Sequence, residues 1–117
     1  MYTCGPTVYN YAHIGNARPA VVSDLLVRVL RQLYKKVTYV SNITDIDDKI
    51  INAAKESGES IDIITKKYEE IYNEDMNSLG VLKPDIQPHA TDFIIEMIEL
   101  INKMIANNIA YVSDGHV

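Results

Sequence analysis

Before residue 45 the chain switches twice between the period of a strand and that of a helix, and no other feature constrains its fold as tightly. Met1 to Cys4 reads as the end of a short strand. The loop after it, Gly5-Pro6-Thr7-Val8-Tyr9-Asn10-Tyr11-Ala12, is rich in turn formers and hydroxyls. Val22, Leu25, Leu26, Val29, Leu30 and Leu33 then recur at helical spacing, which predicts a helix over Asn16 to Tyr34 with one apolar stripe against a core. Pro19 is tolerable there if it lies in the first turn, where no backbone N–H is needed. Lys36 to Ile43 is dense in β-branched and aromatic residues and predicts a second strand. A strand, helix, strand unit of this length is a right-handed crossover joining a parallel pair, so the expected class is α/β.

The remainder reads as helical. Thr44-Asp45-Ile46-Asp47-Asp48 ends the second strand and can cap a helix through Lys49 to Ser57, with Gly58 as its stop. A helix over Ser60 to Leu79 carries Ile64, Tyr68, Ile71, Tyr72, Met76 and Leu79 on one face. Gly80 to His89, with Pro84 and Pro88, reads as a linker and the one plausible break. A helix over Thr91 to Asn107 carries Ile94, Met97, Ile98, Ile101, Met104 and Ile105, and a short strand follows over Ile109 to Ser113. The expected layout is one partial domain over residues 1–117, a strand-helix-strand unit at 1–45 followed by a helical segment and the start of another strand at 46–117. The turn at Asp114-Gly115-His116-Val117 leads one to expect a further strand, so the chain reads as truncated.

Composition narrows the function classes. The 117 residues are 47% hydrophobic with 5 Gly and 4 Pro, enough apolar content for a core. No apolar run reaches the roughly 18 residues that span a membrane, and the start lacks signal-peptide character, so a cytoplasmic protein with no membrane partner is expected. A net charge of -5 argues against a general electrostatic grip on nucleic acid. The basic pairs Lys35-Lys36 and Lys66-Lys67 read as solvated surface. The single cysteine, Cys4, cannot form an internal disulfide, which fits a reducing compartment.

In an open α/β sheet, ligands bind beyond the carboxyl ends of the strands. Two polar clusters map there, Cys4 through Asn16 and Asn42 through Asp48, so that Cys4, His13, Thr44 and Asp45 are expected to face one crevice. His13-Ile14-Gly15-Asn16 opens the first helix, where backbone N–H groups and the positive end of the helix dipole suit a triphosphate. Gly15 allows close approach, and His13 and Asn16 can add directed hydrogen bonds. Tyr9 and Tyr11 can stack on adenine or pack against their own strand, and the residues alone leave both readings open.

The run Cys4-Gly5-Pro6-Thr7-Val8-Tyr9-Asn10-Tyr11-Ala12-His13-Ile14-Gly15-Asn16-Ala17-Arg18 resembles the first signature of the cysteinyl-tRNA synthetases. It holds a variant of the class I His-Ile-Gly-His signature, with Asn16 in the last place. Tyr39 to Ile51 resembles that family's next signature, and weaker likeness continues through Leu82 to Asp85, Pro88 to Thr91 and Ala110 to Val112. The resemblance implies a Rossmann-like (HUP-type) parallel sheet, the first half of a class I catalytic domain.

By that resemblance, the intact protein would activate L-cysteine with ATP and Mg2+ and pass it to tRNA(Cys), which it would contact mostly through regions absent here; this chain alone would be inactive. His13 and Asn16 would be the catalytic contacts to the ATP phosphates, with Tyr9 and Gly15 completing the ATP site. Gly5, Thr7 and Thr44 match positions near the cysteine substrate, with Asp45 less secure, and Asp47 and Asp48 read as helix N-terminal charges. Cys4 matches the first ligand of a Zn2+ site whose other ligands, a Cys, a His and a Glu, lie outside this chain; one thiolate cannot hold such a metal here. In that family the metal is said to take the substrate thiolate, and a soft thiolate outcompetes a hydroxyl at zinc. Lys49 is similar to a lysine discussed for pyridoxal phosphate-dependent persulfide formation in some members, although Asn52-Ala53 follow it here. The rival readings are a mycothiol-type cysteine ligase, whose signature departs from the Asn42 to Asp48 run, and a non-catalytic nucleotide-binding module.

Overall fold

The computed structural model describes all of Met1–Val117. The two changes of period become β1 (Tyr2–Thr3), α1 (Ile14–Leu33) and β2 (Val40–Ser41). The strands pair in parallel, Tyr2 opposite Val40 and Thr3 opposite Ser41. Both are shorter as regular ladders than the sequence predicts, but the pairing resumes further along. Thr44 N–H donates to the Pro6 carbonyl and Val8 N–H to the Thr44 carbonyl, at 2.9 and 3.2 Å. The first loop and the acidic turn are therefore tied together at the carboxyl ends of the two strands.

Helix α1 starts two residues earlier than its periodicity suggests, because His13 caps it. Pro19 is its sixth residue, not part of the first turn as expected, and the helix runs through it to Leu33. The cost is one missing bond, since a proline cannot donate to the carbonyl four residues back. Helices α2 (Asp48–Ser57), α3 (Ile61–Ser78) and α4 (Ile94–Ala106) follow, with a 3-10 turn over Ala90–Phe93 before α4. Each of α2 and α3 begins at a side-chain cap: Asp47 accepts from Lys49 N–H at 2.9 Å and Ser60 from Ile63 N–H at 3.4 Å. Gly58 closes α2 at φ 74°, a left-handed conformation that favours glycine.

The segment expected to be a linker is instead part of the sheet layer. Ser41 N–H donates to the Ile86 carbonyl and Ile43 N–H to Pro88, while Ala90 N–H donates back to Ile43. Residues 86–89 thus run parallel to β2 on the side away from β1, with bridges Val40 to Ile86 and Ile43 to His89. The prolines fit because an edge position does not require every N–H. Polar side chains of α1 lock this segment down. Asp24, 8% exposed, accepts from Leu82 N–H at 3.1 Å and from Arg28 Nε at 2.7 Å. Arg31 meets both carboxylate oxygens of Asp85, at 3.0 and 2.9 Å, and Asp85 also accepts from Tyr39 N–H at 2.7 Å. That backbone bond first, and Arg31 after it, hold the Asp85 carboxyl below its ordinary pKa.

The core comprises Val8, Ala17, Val27, Tyr39, Ile43, Ile50, Ile64 and Met76. Ile43, Ile50, Val8 and Val27 are fully buried, each stabilising by about 1.5–3 kcal/mol relative to exposure. Ile43 and Val8 sit beside the site, so its loops are anchored by packing as well as by the ladder. One expectation about the core is overturned. The α1 stripe Val22, Leu25, Leu26, Val29 and Leu33 is exposed, with Leu25 at 63%, while Ala17, Asp24 and Val27 face inward. Small and hydrogen-bonded residues, not the bulky stripe, let α1 sit close to the sheet and the 81–86 segment. Ile94, Met97 and Ile98 of α4 are likewise exposed.

The strand predicted over Ile109 to Ser113 does not form. No partner lies alongside it, and Ile109, Tyr111 and Val112 are exposed. Ser113 and His116 instead close a two-residue turn with paired 2.9 Å bonds, and Asp114 and Gly115 adopt φ of 50° and 79°. Two successive positive φ values are those of a type I′ hairpin turn.

Candidate functional site

Three of the residues singled out in the sequence meet at the start of α1. His13 Nδ1 accepts from Gly15 N–H at 3.0 Å, and Asn16 Oδ1 accepts from His13 N–H at 3.0 Å, a reciprocal capping box. The His13 carbonyl takes the N–H groups of Asn16 and Ala17 at 2.8 and 3.1 Å. Three of the backbone donors at this helix start, those of Gly15, Asn16 and Ala17, are therefore met by His13 itself. The ring lies so close that a Cβ on Gly15 would come within 2.8 Å of its Cε1, so a residue without a side chain suits this position. With Nδ1 accepting, neutral His13 carries its proton on Nε2, which makes no hydrogen bond and projects from an exposed residue. A phosphate oxygen can be met by that Nε2–H as the helix stands, and by Gly15 N–H if the ring swings aside.

A second group forms where β1 and β2 end. Gly5 N–H donates to Asn42 Oδ1 at 3.1 Å, and Asn42 Nδ2 donates to Thr44 Oγ1 at 3.2 Å. A Cβ at Gly5 would lie 1.6 Å from the Asn42 carbonyl oxygen, so only glycine lets the loop approach β2 this closely. Cys4 directly follows β1 and Asn42 directly follows β2, so both lie where the paired strands end. Cys4 is exposed there as a free thiol. Thr7 is bridged to Thr44 through the backbone. The resemblance groups Gly5, Thr7 and Thr44; in the structure Gly5 and Thr44 are linked through Asn42, which the sequence reading assigned no role, and Thr7 is bridged to Thr44.

Other candidates have partners of their own. The Tyr11 ring packs edge-on against Tyr68 of α3, with centroids 5.3 Å apart. Lys49 Nζ stands 5.7 Å from the Tyr9 ring centroid, joining α2 to the first loop. Asp45 accepts from the backbone N–H of Thr91 at 3.0 Å and from its hydroxyl, which ties the acidic turn to the 3-10 turn. His89 was given no role from sequence. Its Nε2 lies 2.8 Å from Glu69 Oε2 of α3, and Asp92 is 3.8 Å from Nδ1. The bond to Glu69 raises the His89 pKa above its ordinary value against the opposing effect of burial, with the charges of Glu69, Asp45 and Asp92 adding to the rise.

A cavity of about 280 Å³ opens between β1, the start of α1 and the later half of α3. Cys4, Gly5, Gly15 and Asn16 border it, with Tyr72 and Asn77 opposite, so it joins the end of β1 to the start of α1. Tyr9, Thr7, His13 and Thr44 lie outside its wall. Burial raises the Tyr72 pKa, and the nearby Tyr39 adds to the rise, so the phenol on this wall is a neutral donor. No group of three or more His, Cys, Asp or Glu in this chain is arranged to hold a metal ion, and Cys4 contributes one thiolate at most. The residues present do not by themselves fit a four-coordinate zinc. No helix is long and apolar enough to cross a membrane.

Comparison with known proteins bears on this arrangement. The family model described as tRNA synthetases class I (C) catalytic domain matches residues 1–117. The Cysteine--tRNA ligase of Parvibaculum lavamentivorans is 62% identical over 117 residues, which is all of this chain and 25% of that protein. The Cysteine--tRNA ligase of Maricaulis maris is 60% identical over 119 residues, again all of this chain and 26% of the relative. That of Anaplasma phagocytophilum is 53% identical over 117 residues. The chain spans about a quarter of the length of the curated relatives it matches. Its whole length falls within one catalytic-domain family, and the chain belongs to that family, the class I (C) tRNA synthetases.

Proposed function

We propose that this chain supplies the ATP- and cysteine-binding ends of the first two strands in a cysteine–tRNA ligase of the relatives' length. The observation that carries the reading is the match of residues 1–117 to the catalytic-domain family, with His13, Gly15 and Asn16 at the start of α1 and Gly5 and Thr44 linked through Asn42 where β1 and β2 end. In the reaction, a carboxylate oxygen of cysteine attacks the α-phosphorus of ATP, presented with Mg2+. A P–O bond to the leaving group breaks, pyrophosphate departs with that electron pair, and cysteinyl-adenylate remains. A hydroxyl of the terminal ribose of tRNA(Cys) then attacks the carbonyl carbon of the adenylate, the bond to the phosphate oxygen breaks, and AMP leaves as the cysteinyl ester forms.

His13 Nε2–H and Asn16 would donate to phosphate oxygens where negative charge builds, the kind of contact whose loss costs about 10²–10³ in rate. The Gly5 loop and the Thr44 hydroxyl would hold the amine and carboxylate of cysteine, with Thr7 bridged beside them. With a net charge of -5, this part of the protein is not the main source of affinity for tRNA.

The test is cysteine-dependent ATP–pyrophosphate exchange by the intact protein. His13→Ala is expected to lower the exchange rate about 10²-fold with the KM for cysteine little changed. Exchange that proceeds equally with serine, or without any amino acid, would sink the reading.

A further inference from the structure

Asn42 is the one side chain that touches both loops of the cysteine subsite. The direction of its amide is fixed without ambiguity, because Gly5 N–H can only donate, so the atom 3.1 Å away must be Oδ1. The Nδ2 group is then turned toward Thr44 Oγ1, at 3.2 Å, and it too can only donate. One lone pair of the Thr44 hydroxyl is thereby filled while its proton is left without an acceptor. Asn42 cannot take that proton, since the face it shows to Thr44 carries hydrogens.

Two further observations fix the stretch of backbone that carries this hydroxyl. The Thr44 backbone is held from both sides, its N–H by the Pro6 carbonyl and its carbonyl by Val8 N–H. Ile43, next to it, is fully buried, so this stretch of chain cannot rotate to find another partner. A hydroxyl with one lone pair filled by an amide N–H and its proton without a partner is ready to donate, and of the polar groups of cysteine only the carboxylate accepts without also donating. We propose that Asn42 is a positioning residue that sets the polarity of Thr44, so that its hydroxyl donates to the carboxylate of the substrate cysteine. The proposal rests on the cysteine-binding reading of this site given above.

The consequence is specific. A substrate without a carboxylate gains nothing from the polarity that Asn42 imposes, whereas cysteine gains a charge-assisted hydrogen bond. The same contact holds the nucleophilic group of the first chemical step.

The experiment is a double-mutant cycle on the intact protein, using Asn42→Ala, Thr44→Val and the pair. The readouts are the KM for cysteine and for ATP in pyrophosphate exchange, and inhibition by cysteamine, which has the thiol and amine of cysteine but no carboxylate. Each single variant is expected to raise the KM for cysteine about tenfold, leaving the KM for ATP and the cysteamine inhibition constant within about twofold. The double variant should be no worse than Thr44→Val alone within about twofold, because Asn42 acts through the hydroxyl that Val lacks. Asn42→Asp keeps the acceptor for Gly5 N–H but draws the Thr44 proton inward, so it should resemble Thr44→Val rather than the parent.

Multiplying effects in the double variant, or equal weakening of cysteine, cysteamine and ATP by Asn42→Ala, would mean a merely structural asparagine and would overturn the proposal. A Thr44→Val variant that is impaired while Asn42→Ala is not would overturn it alone. Absence of any cysteine-dependent exchange by the parent protein would instead remove the functional reading beneath it.

Discussion

Gly5→Ala is the sharpest perturbation of this site, because its effect follows from one distance. The added Cβ would lie 1.6 Å from the Asn42 carbonyl oxygen and 2.8 Å from its carbon. To relieve the contact to even 3.0 Å, the loop and β2 must part by 1.4 Å, the difference between the two values. Both atoms in the clash belong to backbone, so no side chain can yield. The Gly5 N–H to Asn42 Oδ1 bond, already 3.1 Å, breaks with that displacement. Overpacking of this kind costs about 1–3 kcal/mol and the lost bond about 1 kcal/mol more. For a domain of this size such a loss lowers the melting temperature by several degrees. A displacement of about 1 Å at reacting groups costs on the order of 10²-fold in rate. The intact protein carrying Gly5→Ala should therefore lose about 10² in kcat/KM for cysteine in pyrophosphate exchange. Its KM for ATP should move far less, since the start of α1 is held independently by the His13 capping box. Gly58→Ala is the control: nothing lies within 4 Å of its Cβ, and only the left-handed backbone at φ 74° resists the change, worth about 1–2 kcal/mol. A Gly5→Ala protein with the parent's melting temperature and cysteine KM would refute the claim that close backbone approach is what requires glycine here.

Two further outcomes are expected. Asp24→Ala should lower the stability of the chain by about 1.5–3 kcal/mol, read as a fall in urea midpoint at constant slope, because it strands Leu82 N–H and frees the 81–86 segment; Asp24→Asn, which keeps an acceptor for Leu82, should lose less. His89 has its pKa raised by Glu69, so its contribution to stability is fully present below the ordinary histidine pKa and is lost as pH rises through the higher folded value. Melting temperature should accordingly fall in the parent as pH rises above the ordinary histidine pKa, and His89→Gln should flatten that segment of the profile; an identical profile in the variant would exclude the His89–Glu69 pair as its source.

The parallel strand-helix-strand unit was legible because each of its signals is local. Tyr2, Thr3, Val40 and Ser41 pair as β-rich segments flanking a helical period should, and His13 and Asn16 occupy a helix start. What was not legible depends on partners. The bulky stripe Val22 to Leu33 has the right period for a buried face, yet period reports only that a face is apolar, not which neighbour covers it. Asp24 carries no local sign of burial, yet Arg28 and Leu82 N–H satisfy its carboxylate and allow it to be buried. Ile109 to Ser113 has strand-forming residues, but a strand exists only in a ladder, and no segment of this chain lies beside it. The linker reading of residues 80–89 failed for the converse reason. Two prolines suggested a break, whereas Asp85 and the Ile86 and Pro88 carbonyls found partners on Arg31 and β2.

The site shows the same division. Residue types and their order pointed to His13, Gly15 and Asn16, because a phosphate demands particular donors and close approach, and the family resemblance pointed to Gly5 and Thr44. The bonds that decide what those groups can do link residues far apart in sequence. Gly5 N–H and Asn42 are 37 positions apart, and Thr91 and Asp45 are 46 apart. Asp45 illustrates the consequence. As a carboxylate at a strand end it was named as a less secure substrate contact, and in the structure each of its oxygens accepts one hydrogen bond from Thr91, which ties it to the 3-10 turn. Asn42 is the inverse case. It read as one more polar residue in a signature, yet its amide fills one lone pair of the Thr44 hydroxyl and leaves the hydroxyl proton free to donate. A polar residue at a strand end therefore gains its functional meaning from which of its hydrogen-bonding capacities the fold has already filled, and Thr44 is left with the one that a carboxylate needs.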